Sequence, residues 1–231
     1  MKHNRVDSMT RTLIKLGTIL FAAVTIVTAH AAEQATEKAM DKVDTIKLRM
    51  GSGNQGSGRE LSELCQGCHG ENGISVDDMV PNLAGQYADY IAKELRDFQS
   101  GARTHQIMSG VAITVNEGEI NDIAAYFATQ KQMQGDGSGD NPVGRNLFHK
   151  GDPKRKIAAC ENCHGITGKG MAPNVSLFPV LGGQRKGYLR AQLQNWRSGE
   201  RHNSLSNVMN KFARPLKDSE IEALVDYISG L

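Results

Sequence analysis

The sequence predicts an all-α chain built from two tandem units, and three observations carry that expectation. A Cys-x-x-Cys-His pentapeptide occurs twice, at Cys65–His69 and Cys160–His164. Apolar residues recur at spacings of three and four, with little of the strict alternation that marks strands. A long stretch also aligns with a later one: Pro81-Asn82-Leu83-Ala84-Gly85-Gln86 matches Pro179-Val180-Leu181-Gly182-Gly183-Gln184. Continuing without gaps pairs Tyr90 with Tyr188, Leu95 with Leu193, Phe98 with Trp196 and Arg103 with Arg201. A repeat of about 100 residues is too long for a solenoid unit, so it reads as a duplicated domain.

The chain has 231 residues, 25 of them glycine, with 5% aromatics. A unit of under about 100 residues with so few large side chains struggles to build a core from its own substance. The pentapeptide points to what fills it. Cys-x-x-Cys-His is the attachment pattern of c-type haem: two thiols three apart each add to a vinyl group, and the adjacent imidazole reaches the iron. Cys65 and Cys68, then Cys160 and Cys163, are therefore expected to bind two covalently attached haem c groups, with His69 and His164 as iron ligands. These sites use all four cysteines. A zinc site would bring two Cys-x-x-Cys pairs within about 15 to 20 residues, whereas 91 residues separate Cys68 from Cys160. A thioredoxin-like motif would want strands, and a disulfide framework a shorter, denser chain.

Taken in order, Lys2, Arg5, Arg11 and Lys15 precede an apolar run from Leu16 to Ala29. At 14 residues it is short of the ~20 that span a bilayer. The run leads into Ala29-His30-Ala31, so residues 1–31 read as a signal peptide cleaved after Ala31. Residues 32–58 read as a flexible leader, ending in the linker-like Gly51-Ser52-Gly53-Asn54-Gln55-Gly56-Ser57-Gly58. The first folded unit is expected over 59–134. A short helix with Leu61 and Leu64 on its apolar side enters the haem motif, followed by a loop from Gly70 to Asn82. A second helix carries Tyr87, Tyr90, Ile91, Leu95 and Phe98 and ends at Gly101. A third carries Ile120, Ile123, Ala124 and Phe127, opened by Glu117 and Glu119, where negative charge suits the helix dipole. Residues 135–141 read as a tether, and 142–231 repeat the first unit, with Ile221, Leu224, Val225 and Ile228 in the last helix.

Each iron needs a second ligand. In the first unit Met79, Met108 and Met133 compete, with His105 as an outsider. Met79 lies ten residues past His69 and would have to double back, and Met133 lies beyond the last helix. Met108 follows the second helix in a stretch long enough to reach the far face. The repeat supports it, since Met108-Ser109-Gly110-Val111-Ala112 aligns with Met209-Asn210-Lys211-Phe212-Ala213 after a three-residue insertion. Met108 and Met209 are the expected distal ligands, with His105 and His202 as rivals. Thioether ligation raises the potential relative to a second imidazole.

These features together resemble the dihaem class I cytochromes c of the cytochrome c4 family, over roughly Arg59 to Leu231. The resemblance implies two tandem class I cytochrome c domains, all-α and facing each other, each wrapped around one haem. It also implies that the carbonyls of Pro81 and Pro179 accept the Nδ1 hydrogen bonds of His69 and His164. Arg103 and Arg201 sit at equivalent helix ends and are read either as propionate partners or as ordinary solvated arginines.

The net charge of +2 hides an asymmetry. Residues 59–134 hold 5 Lys and Arg against 11 Asp and Glu, a net of −6. Residues 142–231 hold 14 against 7, a net of +7. Such a dipole orients a protein on charged partners. The basic half lacks a groove-reading motif, so nucleic acid is not an expected partner. The expected function is that of a periplasmic electron carrier, not an enzyme, working between respiratory-chain donors and a terminal oxidase or reductase. Peripheral association with a membrane is left open. The alternatives are a cytochrome subunit of a larger oxidoreductase such as a flavocytochrome, and a dihaem peroxidase.

Overall fold

The computed structural model describes residues 52–171 and 177–231, and the signal-peptide reading and most of the leader lie outside them. Within the described residues the chain is helical, with one isolated antiparallel bridge between Asp152 and Ile157. The first unit comprises α1 (Gln55–Leu61), α2 (Glu63–His69), α3 (Ala88–Ser100), α4 (Met108–Ala112) and α5 (Glu117–Thr129). The second comprises α6 (Pro142–Lys150), α7 (Glu161–His164), α8 (Lys186–Ser198), α9 (Val208–Ala213) and α10 (Asp218–Gly230).

The helix ends follow from local chemistry. Helix α5 opens with a capping box: the Asn116 side chain accepts from the Glu119 amide at 3.1 Å, and the Glu119 carboxylate accepts from the Asn116 amide at 2.9 Å. Helices α3 and α8 stop at Gly101 and Gly199, both in the left-handed region that glycine adopts without strain. The apolar positions anticipated on α5 and α10 are all buried. Ile120, Ile123, Ala124 and Phe127 pack with Ile91, Leu95 and Phe98 in one core, and Ile221, Leu224, Val225 and Ile228 pack with Leu189 and Trp196 in the other.

One part of the leader is ordered helix. Asn54 caps α1 by accepting from the amides of Gly56 and Ser57, and the Asn54 amide donates to Asp122 of α5 at 2.7 Å. The glycines that read as linker serve close packing. A Cβ on Gly58 would lie 1.9 Å from the Asp122 carbonyl oxygen, and one on Gly144 of α6 would lie 1.9 Å from that of Ala223. Each unit therefore crosses its first helix over its last at backbone contact. Gly58 and Ser62 form the buried side of this segment, while Leu61 and Leu64 are exposed, contrary to the helical-face expectation.

The segment read as a tether is also fixed. The Gly135 amide donates to the Leu231 carbonyl at 2.7 Å and the Gly137 amide to that of Gly230 at 3.1 Å. Lys169 donates to the carbonyls of Met133, Gly182 and Leu231, which gathers the end of the first unit onto the second. Among the described residues no helix is long and apolar enough to cross a membrane.

Gly58→Ala and Gly144→Ala should each destabilise the protein by about 1–3 kcal/mol, the usual range for overpacking a tight contact. Thermal unfolding of the haem-loaded protein checks this, and an unchanged midpoint for both would show that the helices can separate without cost.

Candidate haem-binding sites

Each pentapeptide ends a short helix and delivers its histidine inward. His69 closes α2 and His164 closes α7, and each is 6% exposed. The loop that follows folds back on itself in the same way in both units. The Gly73 carbonyl accepts from the amides of Leu83 and Ala84, and the Gly168 carbonyl from those of Leu181 and Gly182. This closure presents a proline carbonyl to the imidazole. His69 Nδ1 lies 2.8 Å from the Pro81 oxygen and His164 Nδ1 lies 2.9 Å from that of Pro179. A carbonyl can only accept, so Nδ1 carries the proton and Nε2 keeps its lone pair for a metal. Burial lowers both imidazole pKa values, against the opposing effect of the proline carbonyls, and so favours the neutral, ligating form.

The four cysteines form no disulfide with one another. Cys65 and Cys160, the first cysteine of each motif, are both half-buried. Both pack on the edges of the apolar cores, the place for a sulfur joined to a large apolar ring. Among the described residues no group of three or more His, Cys, Asp and Glu gathers as a metal cage. The two motifs lie on different cores, Cys65 against one and Cys160 against the other.

The methionine rivals sort by position. Met108 opens α4 and packs against the same core as Cys65, and Met209 lies in α9 and packs against the same core as Cys160. Met79 is 60% exposed, and Met133 is sealed in a cluster with Tyr87 and Val180. His105 and His202 are exposed, and His105 Nδ1 faces the amides of Ile107 and Met108 at the start of α4.

The two units meet through a polar contact that the sequence alone did not disclose. Gln86 Oε1 accepts from the Val180 amide at 2.9 Å while its Nε2 donates to the Val180 carbonyl at 3.0 Å. Gln184 does the same to Asn82, at 2.7 and 2.9 Å. Beyond this reciprocal pair lie the arginines. Arg103 donates to Tyr188 and Arg201 to Tyr90, each across the interface at 3.1 Å. Both reach Glu94, at 2.7 and 3.0 Å, and both donate to Gln192. Their guanidiniums stack on Phe98 and Trp196 of their own units. Arg103 and Arg201 are therefore neither solvated helix ends nor left with all their donors for a propionate; they join the domains.

The fold and the site define a class: two all-α units in tandem, each presenting a Cys-x-x-Cys-His motif with its imidazole oriented by a proline carbonyl, form a dihaem c-type cytochrome. The family model described as Cytochrome c matches residues 57–131 and 144–231. Cytochrome c4 of Pseudomonas aeruginosa is 35% identical over 186 residues, covering 80% of this chain and 92% of that protein. A thiosulfate dehydrogenase electron acceptor of Stutzerimonas stutzeri is 34% identical over 182 residues, covering 77% of this chain and 83% of that one. The crystal structure of reduced cytochrome c4 from Pseudomonas stutzeri superposes with a TM-score of 0.73 at 33% identity, covering 78% of this chain and 100% of that one. The chain belongs to the cytochrome c4 family. It carries two covalently attached haems and is an electron carrier, not an enzyme.

Burial raises the Glu94 carboxyl, but Arg201, Arg103 and Lys93, with the Asn203 amide, overcome that and bring it from 4.5 to about 2. A depressed folded-state pKa means a contribution complete above about pH 4.5 and lost as the pH falls through about 2. Its size is on the order of 3 kcal/mol. The stability gap between the native protein and Glu94→Gln should therefore narrow steadily as the pH is lowered across this window. Calorimetry at several pH values checks it; a constant gap would mean that the arginines do not need the carboxylate's charge.

Proposed function

We propose that the chain shuttles single electrons in the periplasm, from a respiratory-chain donor to a terminal oxidase or reductase. In this reading His69 and Met108 ligate one iron, and His164 and Met209 the other. The observation that carries it is the pair of imidazoles held at Nδ1 by Pro81 and Pro179, with Nε2 free to ligate. The placement of Met108 and Met209 on the same cores as the first cysteine of each motif supports the distal assignment. Haem supplies the one-electron chemistry, and the chain's residues fix its ligands and surround it with apolar side chains. The apolar run from Leu16 to Ala29, expected to belong to an export signal cleaved after Ala31, supports the compartment.

The opposite charges of the two units, −6 over 59–134 and +7 over 142–231, favour docking of donor and acceptor at different ends. A second reading has one specific support. The Stutzerimonas stutzeri relative is described as the electron acceptor of a thiosulfate dehydrogenase. By that likeness the donor is a partner dehydrogenase, in stable or transient complex with this chain.

Met108→His and Met209→His should each abolish the Met–Fe(III) charge-transfer absorption of one haem and lower the potential of that haem, because a second imidazole favours Fe(III) relative to thioether sulfur. Met79→Leu should leave both bands in place. Retention of both bands in Met108→His, seen in a spectroelectrochemical titration, would remove Met108 from the ligand set.

A further inference from the structure

The reciprocal glutamines do more than join the domains, because of the peptide units they touch. The Asn82 amide and the Pro81 carbonyl belong to one peptide group. Its N–H donates to Gln184 Oε1 at 2.7 Å, and its oxygen faces His69 Nδ1 at 2.8 Å. The second unit mirrors this: the peptide between Pro179 and Val180 donates its N–H to Gln86 Oε1 at 2.9 Å, and its oxygen faces His164 Nδ1 at 2.9 Å. Each imidazole therefore ends a three-member chain that begins on a glutamine of the opposite domain.

A peptide group conducts polarisation. When its N–H donates to a good acceptor, resonance moves electron density onto its carbonyl oxygen, and that oxygen accepts more strongly. A stronger bond at Nδ1–H makes the imidazole more electron-rich and a better donor at Nε2. The chain is also shielded from water, since Gln86, Gln184 and Asn82 are 4–5% exposed and Val180 1%. Low local dielectric keeps such bonds strong and their mutual polarisation undiluted. Each glutamine is held in place by its second bond, from Nε2 to the carbonyl of Val180 or Asn82. Gln86 Oε1 also accepts from its own neighbour's amide at Tyr87, and Gln184 Oε1 from Arg185.

We infer that Gln86 and Gln184 are crossed positioning residues: Gln184 of the second domain tunes the haem of the first, and Gln86 of the first tunes the haem of the second. The inference rests on the assignment of His69 and His164 as iron ligands. Its consequence is that neither domain sets its own haem's donor strength alone, and that docking of the two units is coupled to both reduction equilibria.

The test uses the haem-loaded full chain. Proton NMR of the reduced protein gives axial-methionine signals, which Met108→His and Met209→His assign to the first and second haem by removing one set each. If neither variant removes a set, the ligand assignment fails, whatever the glutamines do. Gln184→Met keeps the side chain's length and removes its amide. It should shift the His69 Nδ1 proton resonance and move the first haem's equilibrium toward Fe(II) by about two- to tenfold, the range expected for one hydrogen bond. The second haem should stay where it is, and Gln86→Met should give the opposite pattern. A response confined to each variant's own domain, an equal response of both haems, or none overturns the inference. Tyr188→Phe, which loosens the same interface away from these peptides, should move neither Nδ1 resonance. Should a methionine variant not accumulate folded, Gln86→Glu and Gln184→Glu keep size and an acceptor oxygen while losing the amide donor, and the responding haem should still be the opposite one.

Discussion

The carbonyl oxygens of Pro81 and Pro179 set the terms for the rest of the molecule. A neutral imidazole serves as an iron ligand only if its second nitrogen is protonated and its ring is held at a fixed angle, and an oriented acceptor at Nδ1 achieves both. To bring that acceptor back to a histidine 12 or 15 residues earlier, the chain must make a closed loop. The turns at Gly73 and Gly168, whose carbonyls each take two amides, close it. The loop's outer edge, Asn82 in one unit and Val180 in the other, is then the surface on which the opposite unit docks. Imidazole orientation and domain assembly are two sides of the same few peptides.

Duplication makes such an interface nearly two-fold symmetric, and symmetry is a liability where charges are buried. Arg103 and Arg201 approach from related positions, so two guanidiniums enter one region. Glutamates at both of the positions now held by Glu94 and Gln192 would bury two carboxylates as well, each with its desolvation cost. Glutamines at both would leave the guanidiniums without a counter-charge. The observed pair, one glutamate and one glutamine, gives a carboxylate shared by both arginines and an amide oxygen that accepts from both. Asn203 and Lys93 complete the coordination of Glu94. Stacking on Phe98 and Trp196 covers the remaining guanidinium faces with apolar surface.

What the sequence discloses and what it withholds divide along this interface. The haem motifs and the helices carrying Ile91 to Phe98 and Ile120 to Phe127 are legible because each depends on local spacing. The tandem arrangement is legible because the repeat aligns almost without gaps. Gly58 misleads because a glycine that lets two helices touch looks, in one dimension, like a glycine that lets a linker bend. Arg103 and Arg201 mislead for a related reason: a helix-terminal arginine is exposed unless something covers it, and what covers these is the other domain. Gln86 and Gln184 stood at matching places in the alignment, and that match was the available signal. Two uncharged polar residues at the head of equivalent helices point to a shared partner only once the two-fold relation between domains is known.

An electron carrier works fastest when its ligands need not move as the iron changes charge, and here rigidity is obtained without a large core. Each unit has few aromatic side chains, so packing alone cannot hold a ligand loop in place. The loop is instead pinned from three directions: to itself through Gly73 or Gly168, to the last helix through the Gly85 amide on Phe127 or the Gly183 amide on Ile228, and to the opposite domain through a glutamine. Hydrogen bonds are modest singly, but a backbone segment held at several points loses its alternative conformations together. The third pin exists only in the assembled pair. A single unit would keep the motif and the proline but not the buried acceptor behind its peptide, which gives the duplication a physical role beyond adding a second haem.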